Sequence, residues 1–287
     1  MIEIDIGPYM FSAGSFVVSW HGFFSFIAIV TAVFLVGRWA PMKNIDPDDI
    51  YSIAIWAILG GILGARIVHV IDNLNYYSNN PAQIIAIWSG GIGVWGGILG
   101  GFAGGAIYAF IKGHPVGIIA DLTAPALLVA QTIGRIGDII NGEHCAKTTD
   151  FFLGFLWTHP LSAANNCSSG INNPVQPVIA YEMLWNIFAL AIVWRLRNRI
   201  KPDGMLFALY LTLYSIGRFL ITFAREDKIW ALGMQEAQYI ALMVLIITMP
   251  LLIVKARLKP IELSDSLEMI AEPKGTRAQR RRRGRNW

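Results

Sequence analysis

Charge is what this 287-residue chain has least of: 15% of its residues are Asp, Glu, Lys or Arg. Soluble domains carry about 25%, so an ordinary water-facing globule is excluded. The mean hydropathy of +0.51 points the same way. Alternating polar and apolar segments of strand length are also missing, which argues against a membrane β-barrel. Cysteines number only two, Cys145 and Cys167, with no CxxC or zinc-type spacing. They are either one disulfide in a non-cytoplasmic loop or two free thiols. Met1 to Tyr9 contains Glu3 and Asp5 but no Lys or Arg, and a signal peptide normally opens on basic residues. The first apolar run is therefore expected to stay in the mature chain.

What the sequence has is long apolar runs. They fit about seven transmembrane helices of about 20 residues each: Phe16 to Val36, Ile50 to Ile71, Ile84 to Ile111, Val116 to Ile140, Val178 to Trp194, Met205 to Ala224 and Tyr239 to Val254. The expected fold class is an all-α integral membrane protein. Residues 1–15 form an external N-terminal segment, 16–255 the membrane domain, 141–177 a small external cap rich in Asn, Ser, Thr and Gly, and 256–287 a basic cytoplasmic tail. Cations set the orientation. Arg38, Lys43, Lys112, Arg195, Arg197, Arg199 and Lys201 fall in one set of loops, and the tail adds more on that side. The opposite loops hold only Lys147, Arg225 and Lys228. The N-terminus is thus expected outside and the C-terminus in the cytoplasm. The tail, with Arg277, Arg280, Arg281, Arg282, Arg283 and Arg285, reads as a segment lying near anionic lipid rather than a nucleic-acid binder.

Glycines crowd the third run: Gly90, Gly91, Gly93, Gly96, Gly97, Gly100, Gly101, Gly104 and Gly105. Small residues four apart let helix backbones approach closely; missing side chains would also leave room for an acyl chain. Trp88 to Gly91 has the composition of a helix break, which a membrane tolerates only where it is buried or lines a cavity.

Three arginines, Arg66, Arg135 and Arg218, lie within apolar runs. An intramembrane charge costs about 2.5–3.5 kcal/mol on insertion scales and so marks a function or a buried pair. Arg66 is equally a snorkelling residue near a helix end. Arg135 heads the stretch Gly134-Arg135-Ile136-Gly137-Asp138-Ile139-Ile140-Asn141-Gly142-Glu143. Helical spacing puts Arg135 and Asp138 on one face, with Asn141 and Glu143 beyond them at the external boundary. A guanidinium there can grip a phosphate bidentately, and a carboxylate can accept or orient a proton. A salt bridge tying helix to loop is the plainer alternative, and the residues alone leave the two even. His144 and His159 read as solvated loop residues; His114 is assigned no role.

That stretch resembles the signature of the prolipoprotein diacylglyceryl transferase family, roughly G-R-x-G-N-x-x-N-G-E-x-x-G. Asp138 stands where the family commonly has Asn, and Ala146 where it commonly has the final Gly. Further segments follow in the family's order: Ser19-Trp20-His21-Gly22 with His21 in place of the usual Tyr, Gly64-Ala65-Arg66, Trp88 to Gly97 with Trp95 in place of a frequent His, Gln176-Pro177 before Tyr181-Glu182, and Arg218-Phe219 before Arg225-Glu226. Thr222 stands where many members have Glu. The resemblance covers about residues 16 to 255.

It implies a reaction in the bacterial cytoplasmic membrane. Phosphatidylglycerol gives its diacylglyceryl group to the lipobox cysteine of a prolipoprotein, and glycerol-1-phosphate leaves. The implied partners are phosphatidylglycerol, a lipobox peptide and membrane lipids, with no nucleic acid, cofactor or metal. Arg135, Arg218, Glu143 and His21 are the expected catalytic residues. Arg135, Asp138, Asn141, Arg218 and Arg66 are the expected lipid-headgroup ligands. His21 is the candidate proton acceptor, its range suiting a base near neutral pH; Glu143 or a substrate phosphate oxygen are the alternatives. A transporter or flippase for an anionic lipid or metabolite is the rival reading. It would call for an internal repeat of helices, and the sequence contains none. Two arginines pointing into separate places, with no cavity in common, would remove the enzymatic reading.

Overall fold

A computed structural model describes residues 1–14, 16–87, 90, 91 and 93–259. The basic tail expected at 256–287 lies outside the described residues from 260 on. Seven helices are long and apolar enough to cross a membrane: α1 (Trp20–Trp39), α2 (Pro47–Asp72), α4 (Val94–Ile111), α5 (Val116–Asn141), α6 (Val178–Leu196), α7 (Met205–Thr222) and α8 (Glu236–Lys255), while α3 (Leu74–Asn79) is too short. The chain is a multi-pass membrane protein whose lipid-facing surface is visible in exposed side chains such as Leu63, Leu99, Phe110, Ile246 and Ile253. Large exposed apolar surface of this kind needs lipid around it.

Local chemistry sets the helix ends. Ser19 Oγ accepts from Gly22 N at 3.0 Å and starts α1. The first span therefore begins at Trp20 and not at Phe16, because Phe16–Ser19 (β3) pairs antiparallel with Tyr9–Ala13 (β2). Asp46 caps α2 and Pro47 occupies its first turn, where a missing N–H is harmless. The third span is shorter than its apolar run: after a 3-10 turn at Pro81–Ile85, the helix starts only at Val94. Gly90 and Gly91 in that gap take φ of +84° and +78°, which accords with the expected helix break. Asp121 in α5 accepts from Gly204 N (2.8 Å) and Phe207 N (2.9 Å), capping α7 from a neighbouring helix.

Two kinds of packing build the bundle. Helices α2 and α4 meet through glycine. A Cβ on Gly100 would stand 3.0 Å from the Gly64 Cα and closer still to the Gly60 carbonyl, so neither backbone can retreat without separating the pair. Helix α5 packs against α1, α6 and α7, and Gly137 lets it approach α1 until an added Cβ would lie 2.7 Å from the His21 Cα.

One end of the bundle is covered by residues 142–177. The strands Ile2–Ile4 (β1) and Phe155–Trp157 (β4) pair in parallel there. Ile4, Ala146, Phe155, Trp157, Ala164 and Val175 form its small core together with Val178 and Ile179 of α6. Cys145 and Cys167 are joined by a disulfide, which decides between the two readings of those cysteines. Short ribbons β6–β7 (Ile229–Ala231, Met234–Gln235) and β5–β8 (Ile200–Lys201, Arg257–Leu258) complete the architecture. They add minor strand structure to a fold whose membrane part is all helix.

Candidate active site

The cap-side ends of α1, α5, α6 and α7 surround a cavity of about 200 Å³. Its walls include His21 and Ser25 from α1, Gln131, Gly134, Arg135 and Asp138 from α5, Glu182, Trp185 and Asn186 from α6, and Tyr214, Gly217, Arg218 and Ile221 from α7. Arg135 and Arg218 thus share one chamber.

Glu182 holds that chamber together. Buried to 6% exposure, it pairs with Arg135 Nη2, with Arg218 Nη1 at 2.5 Å and with Arg225 Nη1 at 3.5 Å. One carboxylate therefore sits among three guanidiniums, while Asp138 also pairs with Arg135 and Asp227 with Arg225, so Arg218 is the cation with the fewest counterions. Arg218 commits only Nη1; its Nε and Nη2 have no hydrogen-bond partner among the described residues. A guanidinium fork with free N–H groups facing a cavity is suited to phosphate oxygens.

Asp138 is the second hub. Its Oδ2 accepts from Arg135 Nη1 at 2.6 Å, and its Oδ1 lies 2.6 Å from His21 Nδ1. Glu143 Oε2 stands 3.3 Å from the same His21 nitrogen, and Asn141 Nδ2 donates to Glu143 Oε1 at 3.0 Å. With Nδ1 committed to carboxylates, His21 leaves Nε2 without a partner among the described residues. A carboxylate that fixes a histidine tautomer in this way orients the other nitrogen as a base.

His144 corrects the expectation of a solvated loop residue. It lies between the two hubs: its Nε2 is 3.2 Å from Asp138 Oδ2 and 2.6 Å from Arg135 Nη1, and its Nδ1 is 3.1 Å from Arg225 Nη2. Nδ1 can accept from Arg225, and Nε2 is shared between the Arg135 donor and the Asp138 acceptor, so no single tautomer satisfies all three contacts. Gly142 makes the turn that brings it there, ending α5 with φ +75°. A side chain at that position would strike Ser162 and Trp157, so glycine is required by space as well as by conformation. His159 stays in the loop, accepting from Leu161 N. His114 pairs with Asp49 at 3.3 Å.

The expected site residues separate into three groups. Arg135, Asp138, Arg218 and His21 line the cavity. Glu143 and Asn141 stand one layer outward, reaching it through His21. Arg66 is elsewhere: its guanidinium donates to the carbonyls of Gln83, Ile84, Ala86, Gly90 and Gly91. It satisfies the backbone of the broken segment before α4, and it neither lines the cavity nor snorkels. Trp95 does not line the cavity either. Sequence reasoning missed Glu182, Arg225 and His144 as members of the site. Tyr181-Glu182 and Arg225-Glu226 were visible as motif fragments, and a Glu four residues into an apolar run was the available signal. His21, Asp138 and Glu143 present ligand atoms within 4.8 Å of one another, a donor set that could hold a metal ion. The same atoms already serve Arg135 and His21 as hydrogen-bond acceptors, so the arrangement is complete as a proton-bearing network.

Comparison with known proteins adds the following. Residues 8–254 match the family described as prolipoprotein diacylglyceryl transferase. A protein of Dehalococcoides mccartyi named phosphatidylglycerol–prolipoprotein diacylglyceryl transferase is 35% identical over 259 residues, covering 90% of this chain and 96% of its own. Proteins of the same name from Listeria welshimeri (33% over 273 residues, 94% and 98% coverage) and Pediococcus pentosaceus (31% over 268 residues, 92% and 95%) are similar along their whole length.

Proposed function

The chain belongs to the prolipoprotein diacylglyceryl transferase family, and on that premise we propose how its cavity carries out the transfer of a diacylglyceryl group from phosphatidylglycerol to the lipobox cysteine of a prolipoprotein. The cysteine sulfur forms a bond to the terminal glyceryl carbon of the diacylglycerol. The bond from that carbon to the phosphate oxygen breaks, its electron pair leaves on the phosphate, and glycerol-1-phosphate departs. The observation that carries this reading is the single cavity lined by both Arg135 and Arg218.

Charge grows on the departing phosphate, and preorganised cations beside it lower the barrier. Arg135 and Arg218 supply them, held in place beforehand by Glu182. Thiolate, not thiol, is the nucleophile. His21 Nε2 takes the thiol proton while Asp138 keeps the ring oriented and Glu143 stabilises the imidazolium that forms. Asn141 anchors Glu143, and Arg66 stiffens the wall beyond. The reading assigns no cofactor. It places the cap and N-terminus outside the bacterial cytoplasmic membrane and the C-terminus in the cytoplasm, in keeping with the loop cations.

Purified protein, phosphatidylglycerol and a lipobox peptide test the reaction. The expected result is a diacylglyceryl mass gain on the peptide thiol with stoichiometric release of glycerol phosphate. Lipid moved across vesicles with no change in peptide mass would favour a transporter instead. His21→Gln should depress turnover and alter its pH–rate profile; an unchanged profile would remove His21 as the base.

A further inference from the structure

The cavity has two tiers, and the inner one is unused by the chemistry above. The outer tier is His21, Arg135, Glu182 and Arg218. One helical turn away from the cap on each of the same four helices stand Ser25, Gln131, Asn186 and Tyr214. Helices α1 and α6 run away from the cap and α5 and α7 run toward it, so these offsets of four residues all point the same way, displaced by about 6 Å. The outer tier carries every charge; the inner tier is two amides and two hydroxyls.

Those inner groups are short of partners. Asn186 is 4% exposed, yet no described residue hydrogen-bonds its amide. Gln131 donates Nε2 to the Tyr210 hydroxyl at 2.8 Å, while its Oε1 is buried with no partner. Neither the Ser25 nor the Tyr214 hydroxyl has a partner among the described residues. Asn186 and the Gln131 Oε1 are buried and Ser25 and Tyr214 are partly buried; a buried polar group without a partner is costly, so the tier suits something that both donates and accepts. An acyl chain does neither. An ammonium would find no carboxylate in this tier. A diol satisfies amide oxygens, amide nitrogens and hydroxyls together.

Resting on the reading that the outer tier grips the phosphate, we propose that Ser25, Gln131, Asn186 and Tyr214 form a subsite for the hydroxyls of the lipid headgroup. This subsite makes the enzyme selective for a polyol phosphodiester. The phosphate sits on Arg135 and Arg218, and the glycerol that will leave with it extends one turn deeper. The cavity is open beside Gly134, where a Cβ would meet nothing within 4 Å, whereas the Trp185 indole fills the space beside Gly217.

The test compares two donors with the full-length protein in phosphatidylcholine–detergent micelles: phosphatidylglycerol, and phosphatidylpropanol, which has the same phosphodiester and no headgroup hydroxyl. The wild type should favour phosphatidylglycerol in kcat/KM by about tenfold or more for each hydroxyl recognised. Asn186→Leu should collapse that ratio, and Ser25→Ala, which removes a single oxygen, should lower it in part. Ser25→Ala carries the comparison if Asn186→Leu fails to fold. Equal use of both donors by the wild type would overturn the proposal and mean that the inner tier holds only water. An unchanged ratio in the folded variants would overturn it too. A wild type that transfers from neither donor would instead sink the reaction itself.

Discussion

Helices α2 and α4 meet backbone to backbone, whereas α5, α6 and α7, packed through an apolar core farther from the cap, meet at their cap-side ends through a carboxylate shared by guanidiniums. The first pair has almost no side chain between its axes, since Gly60 and Gly64 face Gly96, Gly100 and Gly104. In lipid no hydrophobic effect drives helices together, and close van der Waals packing takes its place. The second group leaves room for a chamber at its cap-side ends and lines that end with Glu182, Arg135, Arg218 and Arg225. Buried ion pairs seldom add net stability relative to apolar packing. The difference separates a wall, optimised for contact, from a site that gives up contact for charge and space.

Four substitutions break or sharpen that contrast. The largest effect should come from Glu182→Leu, which strands buried guanidiniums; removing one partner of a buried pair costs about 3–5 kcal/mol, read as a large fall in thermal unfolding temperature together with loss of transfer. Arg135→Ala should reduce turnover by about 100–1000-fold while the protein remains folded and membrane-inserted; near-normal turnover would remove its phosphate role. Gly100→Val acts on the wall alone. Overpacking there should cost about 1–3 kcal/mol of stability, seen as a lower unfolding temperature, with the donor preference of the remaining folded enzyme unaltered. Arg218→Lys should be the mildest: charge stays but the two-pronged geometry goes, so turnover should drop by about tenfold. If Arg218→Lys were as damaging as Arg135→Ala, the two cations would not be playing separable parts.

Much of the wall and the membrane part was legible in the sequence because its causes are local. Apolar run length located the seven spans to within a few residues at most ends. The exceptions have specific origins: Phe16–Ser19 joins a hairpin, and the segment before Val94 is broken. The site was legible as far as single helices reach. Arg135 and Asp138 are three apart on α5, so their pairing follows from helical spacing. His144 was misread because the groups that hold it come from α5 and from Arg225, which follows α7. Glu182 stands in the motif fragment Tyr181-Glu182, but its role depends on arginines far away in sequence. Arg66 looked like a candidate ligand because the sequence does not reveal that the loop from Gln83 to Gly91 folds its carbonyls back on it.

The order in which the charges occur along the chain bears on how such a bundle is assembled during synthesis. Segments emerge from the N-terminal side first, and a lone charge on an inserting helix is the expensive case. Here α5 brings Arg135 and Asp138 together, already paired on one face. When α6 follows, Glu182 meets a guanidinium that is in the bilayer before it. Arg218 on α7 then arrives to find Glu182 waiting. Each ionised newcomer thus has its counterion on a helix translated before it or on its own face, so the order of the charges along the chain matches the order in which their partners are made.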